Sequence, residues 1–161
     1  MPLSTSNRMY FLTLQDCRED VLLIEEMSGH EAVSELFEFR LLVEPHAARK
    51  AAESMRDSDM DALTSGETAA SHDAFADMDT EFHRLIAQGA GNHLIADSLA
   101  RLHIHVHIFR SCFRSEITEE AVHEHDGIIA AIQARDGAKA EAAMRRHIER
   151  SYGRLRDFIK D

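Results

Sequence analysis

Asp79, His83, His125 and His147 together offer one carboxylate and three imidazoles. Such donors hold divalent transition-metal ions. Oxygen plus imidazole suits Zn²⁺, Mn²⁺, Ni²⁺ or Fe²⁺, and the donor set does not choose among them. Asp79 and His83 stand four apart, so on a helix both lie on one side. His125 and His147 each fall within a further helical pattern. At ~100° per residue, Asp79 lies beside the apolar Phe75/Phe82 face, where a carboxylate needs a partner or a metal. His125 falls between Ile129 and Ile132, and His147 at the edge of its helix's apolar face. All four can therefore point inward from three helices. The competing reading is four core or boundary residues with ordinary hydrogen bonds and an Asp79–His83 pair. Spacing alone leaves both open. The eleven histidines of the chain favour a metal, although most must be bystanders.

Arg40 is the second unusual residue. It sits mid-face between Leu36, Val43 and Ala47. A guanidinium there needs an anion. Two anions qualify: a core carboxylate such as Asp79, or the carboxylate of a bound small molecule held bidentately. The segment LHIHVHIFR carries His103, His105 and His107. On a strand all three would share a face. On a helix His103 and His107 face out while His105 turns inward as a wall of an internal pocket. Leu99, Leu102, Val106 and Phe109 favour the helix.

The elements that must position these residues change character along the chain. Residues 9–14 (MYFLTL) and 20–27 (DVLLIEEM) read as one or two short strands. From Glu31 the period becomes helical. Pro45 should kink that first helix or start a second one. A polar loop is expected around 64–71, after a short helix. The next helix spans 73–89, with Phe75, Met78, Phe82, Leu85 and Ile86 on one face. Asn92 is a good N-cap for a helix reaching about Arg114. Residues 117–134 form another, with Ala121, Ile128 and Ile132 inward. Asp136 caps a last helix carrying Met144, Ile148, Tyr152, Leu155 and Ile159. The short loops make neighbours antiparallel. The expectation is an all-α antiparallel bundle of about six to seven helices over 31–161, preceded by strands within 1–30.

Composition narrows the function. The chain has 161 residues, 44% hydrophobic, enough for one domain with a real core. A formal charge of −11 argues against sequence-general nucleic-acid binding. No apolar run approaches the ~20 residues of a membrane span. The N-terminus lacks the pattern of a signal peptide, so a cytoplasmic location is expected. Cys17 and Cys112 form no motif and read as free thiols.

The stretches ELFEFRLLVEPHAARKAA, DTEFHRLIAQGAGNHLI and HEHDGIIAAIQARDGAKAEAAMRRHI follow one another in a recognisable order. They carry Arg40 with Glu44-Pro45 four residues on, Asp79 ahead of Phe82-His83, Gly91-Asn92, His125 ahead of Ala131-Ile132, and Met144 three before His147. From about Ser34 to Ile159 the chain resembles the effector-binding FCD domain of the FadR subfamily of GntR transcription factors. The resemblance implies a helical bundle that dimerises in the full regulator. It also implies a divalent metal (Zn, Ni or Mn) on Asp79, His83, His125 and His147. A small carboxylate or hydroxy acid would bind beside it, with Arg40, Asn92 and His105 as the candidate contacts. Members of that family begin with a winged helix-turn-helix, which the residues ahead of this domain do not resemble. YFLTLQDCREDVLLIEEMSGHEAVSELFEFRLLV resembles instead the start of a type VI secretion spike protein of the VgrG type. The two resemblances overlap at ELFEFRLLV, as a gene fusion would leave them.

These readings converge on a non-enzymatic sensor domain without its own DNA-binding module. It would partner a second copy or a full-length regulator. Two alternatives stand beside it. One is a metal-dependent hydrolase built on the Asp/His₃ set. Its difficulty is the general base, because Glu81 and Glu124 are expected to point away from the inner face. The other is a secretion-related interaction protein.

Overall fold

The structure is a computed structural model. It describes the backbone of residues 29–65, 72–112 and 118–159. Six helices occupy these residues: α1 Gly29–Ser54, α2 Asp57–Ser65, α3 His72–Gly89, α4 His93–Cys112, α5 Thr118–Gln133 and α6 Gly137–Ile159. The chain divides into two compact units, Met1–Glu35 and Leu36–Asp161. The described part of the second unit is all-helical, as the sequence leads one to expect. The strands expected within 1–30 fall on residues 1–28, outside the described residues.

Local chemistry sets the helix ends. Asn92 caps α4, its side-chain oxygen accepting from the amides of Leu94 at 3.0 Å and Ile95 at 3.3 Å. Asp136 caps α6 by accepting from the Lys139 amide at 3.0 Å. The turn before it is a Schellman closure. The Asp136 amide donates to the Ala131 carbonyl and the Arg135 amide to that of Ile132, both at 3.0 Å. That closure places Arg135 at φ 57°, a left-handed position that glycine usually fills. Its guanidinium donates to the Met55 carbonyl at 2.6 Å and to Asp57 Oδ1 at 2.8 Å. Arg135 thereby ties the α5–α6 turn to the α1–α2 junction.

Pro45 neither ends α1 nor starts a new helix, which runs unbroken through it. A helix-interior proline costs about 3 kcal/mol. Two features of the same stretch offset this. The Arg40–Glu44 ion pair spans the turn before the proline. After it, Ala47, Ala48, Ala51 and Ala52 are almost wholly buried, so this stretch of α1 is held in the core.

The packing follows the apolar faces. α3 packs on α4 and α2, α5 packs on α6, and α2 also meets α5. Ile86, Leu99, Ile128, Ile132, Met144 and Ile148 are the buried core of these contacts. Each such side chain contributes about 1.5–3 kcal/mol of burial. α1 reaches α6 through the Phe37–Tyr152 ring contact, 5.1 Å between centroids, and the 3.2 Å Arg49–Glu141 bond. The expected inward residues of α3, α5 and α6 are buried or half-buried wherever their side chains are described.

Candidate metal centre

Three helices deliver the four donors. Asp79 and His83 lie one turn apart on α3, His125 comes from α5 and His147 from α6. All four are buried, and one donor atom from each lies within 4.8 Å of the other three. Asp79 Oδ1 is 3.4 Å from His125 Nε2 and 3.9 Å from His83 Nε2. His83 Nε2 and His147 Nε2 are 3.3 Å apart. The His125 ring is clamped by Phe82, stacked at 3.8 Å between centroids and 10° between planes. Its Nε2 is buried and makes no hydrogen bond among the described residues.

A ring of carboxylates and arginines surrounds the donors. Glu44 Oε2 lies 2.5 Å from His83 Nδ1. Its other oxygen accepts from Arg40 Nε at 2.5 Å. On the opposite side Glu124 Oε2 lies 2.8 Å from His147 Nδ1. Arg154 grips Glu124 with both terminal nitrogens, at 2.9 and 3.0 Å. Carboxylates accept and do not donate. The hydrogen bond to Glu124 therefore puts the His147 proton on Nδ1 and turns its Nε2 lone pair toward the cluster, and the Glu44 carboxylate beside His83 Nδ1 favours the same tautomer there. Arg40 Nη2, a donor only, approaches His83 Nε2 at 3.5 Å, consistent with a lone pair there.

Electrostatics keep the donors available. Burial pushes the His83 imidazole down to about 3, against the opposing pull of Glu44. Burial likewise lowers His147 to about 4, although Glu124 works to raise it. Both are neutral at pH 7, the form that binds metal. Burial works to raise the Glu124 carboxyl. The hydrogen bonds from His147 and Arg154 outweigh it and leave Glu124 at about 2.

Lone pairs from His83 and His147, the orphaned His125 Nε2 and a carboxylate oxygen of Asp79 thus face one small volume. The residues fit a divalent cation. In a low-dielectric interior the buried His125 Nε2, which makes no hydrogen bond among the described residues, is costly without one.

Arg40 is fully buried, as its mid-face position requires. Its ionic partner is Glu44 rather than Asp79, the carboxylate named from the sequence. Glu44 lies one turn on from Arg40 along the same helix and so reaches the guanidinium first. Nη1 of Arg40 is buried and makes no hydrogen bond among the described residues. Asn92 is exposed, and its side-chain oxygen is engaged in the α4 cap. The backbone of α4 is helical through His103, His105 and His107, which removes the strand alternative. The side chain of His105 lies outside the described residues. Glu124 does not point away as expected but contacts His147, because α6 lies along that flank of α5. Glu81 does face out, half exposed and paired with Arg84. Sequence reasoning missed Glu44 as part of the site. The signal was its place four residues after Arg40, on the same side of α1.

A family model for the FCD domain matches residues 35–150. The chain belongs to the FCD-domain family. Among solved structures, this FCD domain is similar to the Streptococcus agalactiae GntR, with a TM-score of 0.66 and 25% identity. The match covers 83% of this chain and 64% of that one, so the chain spans less than two thirds of its relative's length. No curated protein sequence matches the chain. The family match begins at residue 35 and is silent on a gene fusion and on the spike-protein resemblance of residues 1–43. Among the described residues, no helix of the FCD domain is long and apolar enough to cross a membrane.

Proposed function

We propose that this FCD domain is an effector- and metal-binding sensor domain of a GntR-type transcriptional regulator. The convergence of the His83 and His147 lone pairs at 3.3 Å beside Asp79 and His125 carries the reading. Asp79, His83, His125 and His147 would hold a divalent ion such as Zn²⁺, Ni²⁺ or Mn²⁺. Bound there, the ion would supply positive charge and an open position for an acid oxygen. The chain's own part is to bind and orient that acid. Arg40, with its spare Nη1 and with Nη2 near His83, is the buried cation best placed to meet a carboxylate. Asn92 and His105 are the further candidate contacts. The effector would be a small carboxylate or hydroxy acid.

The carboxylates around the cluster favour a sensor over a hydrolase. Glu44 and Glu124 are each tied to a histidine and an arginine. Such carboxylates hold donors in place rather than move protons. In the regulator, effector binding would shift the equilibrium between two arrangements of the bundle and be read by a second copy or a full-length partner.

Calorimetric titration of small mono- and hydroxycarboxylates into Zn²⁺-loaded protein tests the reading. At least one acid binds, binding is lost on chelation, and Arg40→Lys weakens it at least tenfold. If no acid binds the loaded protein, or binding ignores both chelation and Arg40→Lys, the sensor reading fails.

A further inference from the structure

We propose that Glu124 is a positioning residue that locks the His147 tautomer and so keeps the donor cluster open, with Arg154 as its outer clamp. The inference rests on the metal reading above and adds a role for residues that touch none of the shared volume.

One stretch of α5 serves the site twice. His125 points into the cluster, and its neighbour Glu124 points sideways to α6, as adjacent helical residues ~100° apart must. On α6, His147 and Arg154 stand seven residues apart, two turns along one face. They therefore meet Glu124 from both sides. Its carboxylate is only 8% exposed and is met by the His147 Nδ1, both Arg154 terminal nitrogens and, at 3.5 Å, Arg150. The bidentate arginine fixes the plane of the carboxylate, and the carboxylate fixes the ring.

The lock has a specific competitor. His147 Nε2 is 3.3 Å from His83 Nε2, within hydrogen-bonding reach. If His147 carried its proton on Nε2, that proton would be donated straight to His83. Two of the four donor atoms would then satisfy each other and the cluster would be closed to a cation. Glu124 accepts at Nδ1 and makes the open tautomer the favoured one. Glu44 lies beside His83 Nδ1 in the same way, at 2.5 Å, but it is sealed with Arg40 inside the core. Glu124 lines a surface cleft with Glu120, His123, Arg150 and Arg154, so it can be substituted with less risk to folding.

The test reads tautomers directly. Metal-free protein carrying ¹⁵N-histidine is compared with Glu124→Ala, Glu124→Gln, Arg154→Ala and the control Glu81→Gln by long-range ¹H–¹⁵N correlation. Zn²⁺ affinity is measured on the same samples against a chromophoric chelator. His147 is protonated on Nδ1 in the wild type and shifts to Nε2 in Glu124→Ala. Zn²⁺ affinity falls ~10–100-fold in that variant. Glu124→Gln, which keeps an acceptor oxygen, recovers most of the Nδ1 tautomer and part of the affinity. Arg154→Ala lies between, and Glu81→Gln matches the wild type. An unchanged His147 tautomer in Glu124→Ala, or affinity within twofold of wild type, overturns the proposal. If Glu124→Ala does not fold, Arg154→Ala decides by the same two readouts. A wild type that binds no Zn²⁺ sinks the metal reading, and the tautomer comparison still judges the lock by itself.

Discussion

His147 Nε2 faces His83 Nε2 across 3.3 Å, and each ring has its opposite nitrogen against a carboxylate, Glu124 and Glu44 respectively. Two imidazole Nε2 atoms are thus aimed at each other inside the core. The relationship organises the rest of the site. Glu124 sets the His147 tautomer, the arginines hold the carboxylates, and Asp79 and His125 complete the set of possible ligand atoms around one point.

Glu44 is expected to be the most stability-sensitive residue of this ring. It neutralises Arg40, which is fully buried. Glu44→Ala leaves that guanidinium uncompensated and should cost about 3–5 kcal/mol. Urea denaturation of the metal-free protein checks this. A loss below ~1 kcal/mol would mean that Arg40 has another anion within reach.

The metal-free fold should lose stability as pH falls from 7 to 5. Burial depresses His83 to about 3 and His147 to about 4, whereas both titrate near 6.5 when unfolded. Below pH 6.5 the unfolded chain takes up protons that the fold refuses. The stability contributed is therefore complete above pH 6.5 and declines toward pH 4. Each histidine costs up to about 1.4 kcal/mol per pH unit in that window. Glu124 works at lower pH, since a carboxyl lowered to about 2 loses its contribution only below the unfolded value of 4.5. Urea midpoints at pH 7 and pH 5 check the sign. A higher midpoint at pH 5 would contradict it.

Arg135 separates a backbone effect from a side-chain one. At φ 57° glycine is preferred over any other small residue, by roughly 1 kcal/mol. The guanidinium bond to the Met55 carbonyl contributes about 1–2 kcal/mol in the opposite sense. The expected order of thermal stability is wild type, then Arg135→Gly, then Arg135→Ala. If Ala exceeds Gly, the left-handed turn is not what this position demands.

The four donors were legible in the sequence because each lies on a helix whose apolar period is clear. Asp79 and His83 share a turn, and His125 and His147 fall on or at the edge of inward faces. The caps at Asn92 and Asp136 were legible for a similar reason, since N-capping depends only on residues three apart. The second ring was not. A residue's angle on its own helix does not say which neighbour lies alongside, so Glu124 looked outward until α6 was placed beside it. Arg40 was legible as a buried cation, but its partner depended on which carboxylate the fold brings nearest, and the local i,i+4 Glu44 came before Asp79. Of the two outcomes expected at Pro45, the second helix does not form. The rule for prolines weighs only one lost hydrogen bond and a clash. It does not weigh the buried alanine face and the ion pair that carry α1 past it.

The most direct test of the central claim is metal content after equilibrium dialysis against Zn²⁺, with thermal stability before and after chelation, for wild type and His125→Ala. One tightly bound ion per chain is expected. Its removal should lower the melting temperature, and His125→Ala should bind the ion at least tenfold more weakly. A wild type that retains no ion, with a melting temperature indifferent to Zn²⁺, Ni²⁺ and Mn²⁺, would contradict the account and leave Asp79, His83, His125 and His147 as a polar core.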